Sequence, residues 1–545
     1  MKRTALPAIG LAILAALFVW HAVWLAAVTD DAFISFRFAR NLACGQGLVW
    51  NPGDRPVEGY TNFLWGLLCA AAIKAGGDVI RFTQALGVAA GVTTLAYVYG
   101  FSRRLLGQGP LRSMLPCVLL VAAGPFAAWA TSGMETSLFT LLVTASCYHA
   151  VSHANRPHPG SLAASCIAAF LATLTRPEGL GVLVVLAVLH VLYRRAHPSA
   201  GWRLRDLAGM ALGYVLPFLA YGVWRLVYYG DVLPNTFYAK TGGTIFQWWR
   251  GLKYVLWFVF HYLIPLAPLL VLGAWEIAGR GRRPGESGPD DGRSAGRYGL
   301  VVCLAVCAAY AAYIVWVGGD YMAMYRFFVP VLPVLYLAVS EAAGALAASA
   351  AESTKKRAIV GCALAVALAG TLLPSTWLDL VLFREPDMMH GQFRGICIER
   401  WNTRRMTLLG QFFRQYSRSD TESLAAGAIG AISYYSNLRA YDFYGIVDPV
   451  VARLRKPDLG KGLPGHEKAD LPHLLSMKPA YFIFSRNLTA RPEGYPVYSP
   501  QTTDMLRRDY RPVSRWLEDR ENGESGYFTF LELKTHGSPA LRSDR

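Results

Sequence analysis

Charge is what this 545-residue sequence has least of. Asp, Glu, Lys and Arg together make up 16% of it, against about 25% in an average soluble domain. The deficit is concentrated in runs of about 18 or more nearly uncharged residues, the pattern of membrane-spanning helices, which excludes a wholly soluble protein. Nucleotide loops are missing too. No Gly-rich stretch has P-loop or Rossmann spacing, so a donor bound through either motif is excluded. No Cys-x-x-Cys spacing suggests zinc. Of the nine cysteines, Cys69, Cys117, Cys147, Cys166, Cys303, Cys307 and Cys362 fall within apolar runs and read as small hydrophobes. Cys44 and Cys397 lie outside them, and nothing in the sequence supports a disulfide between the two. The formal charge of +17 does not point to nucleic acid, because much of the excess lies in short loops between apolar runs.

What is present is a long series of those runs. Spanning segments are expected at 5–28, 78–101, 113–131, 134–152, 160–175, 178–194, 206–229, 252–279, 298–317, 326–349 and 358–382, about eleven in all. The apolar stretch after Met1-Lys2-Arg3 is longer than a signal-peptide core and reads as a retained first span. Alternate loops sort by charge. Lys2 and Arg3, Arg103, Arg104 and Arg112, Arg156, the pairs Arg194–Arg195 and Arg203–Arg205, the Gly279–Gly296 connector and Lys355–Arg357 form the short basic set, hence the cytoplasmic one. The Gly-, Arg- and Pro-rich connector itself reads as disordered. Residues 29–77 and the C-terminal part then lie outside, in the periplasm of a bacterial plasma (inner) membrane or its equivalent. After about Phe383 the charge density becomes ordinary. The expected division is a transmembrane module over 1–383, with a first outer loop at 29–77, and a soluble periplasmic α/β domain over 384–545. In that domain Ala425–Tyr435 and Ala480–Ser485 read as buried strands, Arg400–Tyr416 as a helix and Tyr527–Lys534 as a closing strand. The tail beyond Gly537 reads as disordered.

The stretch Thr29–Trp65 organises the rest. It opens on adjacent acids, Asp30 and Asp31, then places Arg37, Arg40 and Asn41 on one side of a helix. A carboxylate at the bilayer edge is costly unless solvated, paired or functional. One of the two aspartates suits a helix N-terminus; the other can take a proton from an acceptor hydroxyl. Arg37 and Arg40 suit lipid head groups or a departing phosphate, which guanidinium groups hold bidentately. Glu58 follows in a Gly/Pro-rich turn, where it can cap, pair with an arginine or bind sugar; Tyr60, Asn62 and Trp65 suit a carbohydrate, with aromatic faces for C–H surfaces and amides for hydroxyls, though Trp65 alone also fits an interfacial aromatic belt.

Four further clusters fall on the same expected face. Ser132–Ser137 carries Glu135 at a helix start, where dipole complementarity also accounts for it. Thr175–Gly179 carries Arg176 and Glu178, which an internal ion pair would also explain. Tyr228–Lys240 carries Asp231, Asn235 and Lys240, and Gly318–Phe327 carries Asp320 and Arg326. Together they imply a polar chamber at the outer leaflet. In the C-terminal part His466 is a candidate substrate contact, though a lone His is more often structural; Asp442 and Asp448 read as turn formers. Acids are available for a divalent cation, but no ligand set is diagnostic of a metal.

These clusters together resemble a known family. D-D-A-F-I-S-F-R-F-A-R-N-L, G-L-V-W-N-P-G and V-E-G-Y-T-N-F-L-W are similar to the start of the GT-C glycosyltransferases related to the mycobacterial terminal β-(1→2)-arabinofuranosyltransferase. S-G-M-E-T, T-R-P-E-G, G-D-V-L-P-N-T-F-Y-A-K, G-G-D-Y-M and the later A-I-S-Y-Y-S, D-F-Y-G-I-V-D-P and G-H-E-K are similar as well. The resemblance implies a multi-pass enzyme of mainly α GT-C fold that uses a polyprenyl-phosphate sugar on the outer face. It implies an essential Asp in the first outer loop, a position that Asp30 or Asp31 matches. It also implies that the C-terminal domain helps hold the acceptor. The expectation is a glycosyltransferase moving a sugar such as arabinofuranose to a glycan or surface glycoconjugate. Asp30 and Asp31 are its catalytic candidates. Arg37, Arg40, Lys240 and Arg326 are candidate phosphate ligands. Glu58, Tyr60, Asn62, Glu135, Arg176, Glu178, Asp231, Asn235, Asp320 and His466 are candidate substrate contacts. The rival readings are a transferase acting on lipid A or protein, a lipid-linked sugar transporter, for which no internal repeat speaks, and an envelope scaffold.

Overall fold

The structure is a computed structural model that describes residues 2–196, 204–279, 291–350, 353–375 and 392–535. Arg203, the core of the expected disordered connector, the end of the last expected span, the 383/384 boundary and the tail beyond Gly537 lie outside the described residues.

The apolar runs are helical, as they must be where no water can satisfy backbone N–H and C=O groups. Among the described residues six helices are long and apolar enough to cross a membrane: Leu6–Trp24, Val79–Leu105, Glu178–Ala196, Asp206–Tyr229, Gly296–Val317 and Arg326–Ala350. The run expected to span 252–279 is two helices, Ile245–Leu263 and Ala267–Glu276, bent by 80°, and the pair adds a seventh if it is one span. The run at 113–131 breaks at Ala123 into Leu115–Ala122 and Gly124–Ala128. Pro125 lacks the N–H that a continuous helix would need there. Helix Thr136–Asn155 lies in the interior, where Thr140 and Thr144 return their hydroxyls to the carbonyls one turn back. Those hydroxyls lower its hydropathy without leaving a polar group unpaired. The protein is thus a multi-pass membrane protein, and among the described residues fewer spans qualify than the apolar runs alone suggest.

Helix α1 (Lys2–Trp24) is followed, after a short turn, by α2 (Asp30–Ala43) and then by α3 (Phe63–Lys74). Although α2 has basic residues on one side, it is not a surface helix: Phe33, Phe36, Phe38 and Arg37 are all buried. What covers it is the C-terminal part of the chain. That part carries a five-stranded sheet, β1 (Ser423–Ala426), β2 (Arg439–Asp442), β3 (Tyr481–Ile483), β4 (Tyr510–Asp519) and β5 (Glu524–Leu533), in the order β2-β1-β3-β5-β4. Strand β1 is parallel to β2 and β3, whereas β5 is antiparallel to β3 and β4. Helix Gln392–Tyr416 lays Phe413 against Tyr481 and Phe530 of the sheet. The expected strand at Ala425–Tyr435 ends at Ala426, and Gly430–Ser436 is helical. A short run that is buried on all sides does not reveal its period, which is why sequence reading mistakes it. Asp442 accepts from the backbone N–H of Tyr444 (2.9 Å), Ile446 and Val447, and Asp448 caps the helix at Pro449, so both form turns. Cys44 and Cys397 are free.

One apolar cluster joins Phe33, Phe36 and Phe38 of α2 to Leu409, Ile432 and Phe528 of the C-terminal part. Polar contacts fix the register of that joint. The Asp30 carboxylate accepts from the backbone N–H of Gly430 (3.1 Å) and Ala431 (2.8 Å). Only glycine fits at 430, because a Cβ there would collide with the Asp30 carbonyl. Trp50 donates its indole N–H to the Ala440 carbonyl (2.8 Å).

Two stability predictions follow from these contacts. Arg405 is fully buried, donating to Asp519 (2.7 Å), Glu524 (2.6 Å) and the Arg486 carbonyl (3.0 Å). Arg405→Met leaves the buried Asp519 without its cation, and the C-terminal domain should lose about 3–5 kcal/mol, read as a lower urea midpoint by tryptophan fluorescence. Asp30→Ala strands two buried N–H groups and should cost about 1–3 kcal/mol, read as earlier proteolytic cleavage between the helical part and the C-terminal part; unchanged cleavage would show that the joint does not depend on this carboxylate.

Candidate functional site

Between the helices and the C-terminal part lies a chamber of two lobes. The larger, about 1200 Å³, is bordered by Asp30, Asp31, Tyr321, Glu399, His466 and Arg486. The smaller, about 650 Å³, runs between helices past Tyr60, Asn62, Glu135, Arg176, Glu178 and Phe327. Asp31, Lys240, Asp320 and Tyr321 border both and form the waist. The smaller lobe also reaches Leu180, Val184, Leu233 and Trp316, whose side chains are exposed on the outside of the helical part. It therefore opens sideways onto an apolar surface.

The two adjacent aspartates separate cleanly. Helical geometry turns successive side chains about 100° apart, so Asp30 and Asp31 point in different directions. Asp30 is turned into the joint and held by two backbone N–H groups; its burial outweighs them and pushes its pKa up to about 6. Asp31 is half-buried at the waist, with no hydrogen bond or ion pair among the described residues.

Arg37 and Arg40 do not reach the chamber. Arg37 donates to the carbonyls of Trp50 (2.9 Å), Ser433 and Leu438 (2.8 Å) and to Asn51 (3.0 Å). Arg40 donates to the Tyr434 carbonyl (2.7 Å) and lies over that residue's ring. Burial without a carboxylate partner pulls the Arg37 pKa down to about 9. The expectation that they bind phosphate is corrected on this point: they are spent on the carbonyls at the C-terminal end of a helix, which ties α2 to the domain. Glu58 is likewise taken, by Arg225 (2.6 Å). Asp231 pairs with Arg453 (2.9 Å) and Asn235 donates to the carbonyls of Gly445 and Ile446. Glu58, Asp231 and Asn235 border neither lobe: Asp231 and Asn235 tie the helical part to the C-terminal part, and Glu58 ties the first outer loop to helix Leu216–Tyr229.

The other expected residues do meet. In the smaller lobe Tyr60 shares a hydrogen bond with Tyr229 (2.7 Å). Asn62 donates to Glu135 (2.8 Å), and Arg176 bridges Glu135 (2.7 Å) and Glu178 (2.6 Å). Arg326 pairs with Asp320 (2.8 Å). Lys240 at the waist makes no ion pair among the described residues. His466 borders the larger lobe beside Tyr321 and Tyr444, its Nδ1 on the Pro464 carbonyl; burial lowers its pKa. The neighbours of His466 hold its loop shut. Glu467 accepts from Gly460 N–H (2.6 Å), Gly462 N–H (2.9 Å) and Arg250 (2.7 Å), and Lys468 donates to the Tyr238 carbonyl (2.7 Å).

Among the chamber residues that escape sequence reading are Glu399 and Arg486. Glu399 stands in a helix that is rich in charge throughout, and Arg486 follows a short strand, so neither has a local signature. Among the described residues no three His, Cys, Asp or Glu side chains are grouped to hold a metal ion.

Comparison with known proteins agrees with this architecture. A family described as a domain of unknown function (DUF8728) matches residues 396–531. The terminal β-(1→2)-arabinofuranosyltransferase of Mycobacterium tuberculosis is 32% identical over 330 residues, 56% of this chain and 50% of that protein. That of Corynebacterium glutamicum is 29% identical over 368 residues, 59% of this chain and 49% of that protein. The chain thus spans about half the length of the curated relatives it matches. Among solved structures, ArnT from Cupriavidus metallidurans bound to undecaprenyl phosphate superposes with a TM-score of 0.54 at 12% identity, covering 98% of this chain and 99% of that one. The apo form gives 0.56 at 11%, covering 99% and 100%. The protein therefore has the GT-C fold that its motifs imply, shared with ArnT along nearly its whole length, and is similar in sequence to the terminal β-(1→2)-arabinofuranosyltransferases over somewhat more than half of it.

Proposed function

We propose that the protein is a membrane glycosyltransferase that moves arabinofuranose from a polyprenyl-phosphate carrier to a glycan or surface glycoconjugate, on the outer face of the bacterial plasma membrane. The observation that carries this reading is the waist, where a carboxylate, Asp31, and a cation, Lys240, neither of them in an ion pair among the described residues, border both lobes. Buried or half-buried charges are normally paired, and at a cavity an unpaired acid and cation are candidates for chemistry. The names of the sequence relatives support the sugar, and the ligand in the ArnT crystal supports the carrier. The sorting of basic residues into one set of loops supports the orientation, with the chamber outside. The division into a module at 1–383 and a domain at 384–545 belongs to the same proposal.

The geometry suggests how the parts divide the work. A lipid chain lies in the smaller lobe, whose apolar mouth admits it from the side. The carrier phosphate reaches Lys240, with Arg326 and Arg176 held nearby by their acids. The acceptor enters the larger lobe. Its hydroxyl oxygen bonds to the anomeric carbon as the bond from that carbon to the phosphate oxygen breaks. Asp31 takes the hydroxyl proton, and the electron pair leaves with the lipid phosphate. Tyr60, Asn62 and Tyr321 line the path of the sugar.

The test is transfer by the purified full-length protein in lipid nanodiscs, with polyprenyl-phosphate arabinofuranose and an arabinan oligosaccharide. Asp31→Asn should lower kcat by about 10²–10⁴-fold, the usual worth of a general base, with an unchanged melting temperature. Lys240→Met should lower it by about 10²–10³-fold, as loss of a charge-stabilising donor does. A folded Asp31→Asn protein with wild-type transfer would sink the mechanism.

A further inference from the structure

The larger lobe holds a second carboxyl that the mechanism above does not use. Glu399 projects from helix Gln392–Tyr416 of the C-terminal part into the same space that Asp31 enters from α2. Like Asp31, and unlike Asp30 and Asp320 beside it, it has no hydrogen bond or ion pair among the described residues. Of the charges around it, Asp31 and Asp30 from α2 and Asp320 from the Gly318–Phe327 loop disfavour its ionised form, and Arg326, already engaged by Asp320, favours it; Lys240, Arg250, Lys253, Lys461, His466 and Arg486 border the same lobe. Nothing structural therefore accounts for an acid at this position. Resting on the glycosyltransferase reading, we propose that Glu399 is an acceptor-contacting residue, which hydrogen-bonds a saccharide oxygen in the larger lobe and so presents the neighbouring hydroxyl to Asp31.

The placement fits the chemistry. The lobe is walled by backbone and aromatic groups, Gly427, Tyr321 and Tyr444 among them, which suit a sugar's polar edges and C–H faces. Burial, with Asp31 and Asp320 close by, raises the Glu399 pKa to about 8. Near neutral pH the carboxyl is thus mostly protonated and acts as a donor without adding a second negative charge beside Asp31. Above about pH 8 it ionises, and the contact changes from a donor to a like charge facing Asp31.

Steady-state kinetics of the full-length protein in nanodiscs, with polyprenyl-phosphate arabinofuranose and a hexa-arabinofuranoside acceptor, test this assignment. Glu399→Ala should raise the acceptor KM about tenfold, the scale of one lost hydrogen bond in a cavity, and leave the donor KM within about twofold. Glu399→Gln keeps an N–H donor of the same shape and should stay near the wild-type acceptor KM at pH 6.5. The wild-type acceptor KM should climb between pH 7.5 and 9, whereas that of Glu399→Gln should stay flat. An unchanged acceptor KM in Glu399→Ala, or the same alkaline rise in Glu399→Gln, overturns the assignment; if the alanine variant does not fold, the pH profile of the glutamine variant decides. Absence of transfer by the wild type would be a failure of the glycosyltransferase reading itself. Calorimetric titration of hexa-arabinofuranoside into wild type and Glu399→Gln at pH 6.5 and 9 then decides for Glu399: pH-dependent binding in the wild type alone supports it, and equal or absent binding overturns it.

Discussion

A charge removed from water must be met by an opposite charge or by aligned dipoles, and that constraint sorts the polar residues of this molecule. The effective penalty is several kcal/mol per ion, so a fold cannot leave many unanswered. Asp30 is met by the N–H groups that open helix Gly430–Ser436, and Arg37 by three carbonyls and an amide. Arg176 is met by Glu135 and Glu178, and Arg326 by Asp320. Each of these contacts fixes a position, and between them they lock α2, two helix junctions and the C-terminal part around one space. What the same rule leaves unmet is informative. Asp31 and Lys240 border both lobes, and Glu399 borders the larger. In the proposed function a substrate is the partner that completes them.

The backbone makes its own contribution at the waist. Gly318 and Gly319 have φ of 86° and 71°, and Met324 and Tyr325 follow at 57° and 40°. Glycine adopts that region freely; for Met and Tyr it costs on the order of 1–3 kcal/mol each. The surroundings hold them there. Both side chains are buried, and the Trp129 indole donates to the Met324 carbonyl (3.1 Å). The result is a compact loop that delivers Asp320 and Arg326 to the chamber from opposite ends, already paired. The charge pair is preorganised by a rigid frame, which is the condition under which electrostatic stabilisation is most effective.

How much of this is legible in one dimension depends on how local each cause is. Helices in the apolar runs are local consequences of hydrophobicity, and each run is mainly helical where the structure describes it. Whether a run crosses depends on what covers it, so the break at Ala123 and the 80° bend after Leu263 do not show in composition. The clusters at Asn62, Glu135, Arg176, Asp320 and Arg326 are visible because unusual charge at the end of an apolar run stands out, and they do converge. Their partner choice is not visible: Glu58 goes to Arg225, 167 residues on, and Arg37 to carbonyls some 400 residues on. For the same reason sequence alone cannot divide the labour of Asp30 and Asp31. Only the arrival of Gly430 tells them apart. Glu399 is the limiting case, an ordinary glutamate in an ordinary charged helix, distinguished by nothing except what faces it.

The seam between the helical part and the C-terminal part is therefore more than a boundary in the chain. The larger lobe has Asp31 and Tyr321 on one side and Glu399, His466 and Arg486 on the other, so neither part contains it alone. Arg486 is tied through its carbonyl to Arg405, and Arg405 to Asp519 and Glu524 at the β4–β5 turn. The loop bearing His466 is tied through Glu467 to Arg250 on the helix whose Trp248 and Trp249 are exposed. Arg486 and His466 are thus each positioned by a contact one step behind them. The chamber's shape is as firm as those buried ion pairs, while its apolar side mouth is closed only by whatever surrounds the helices. Firm polar walls and a side opening of this kind suit a reactant with a rigid polar head and a long flexible apolar tail.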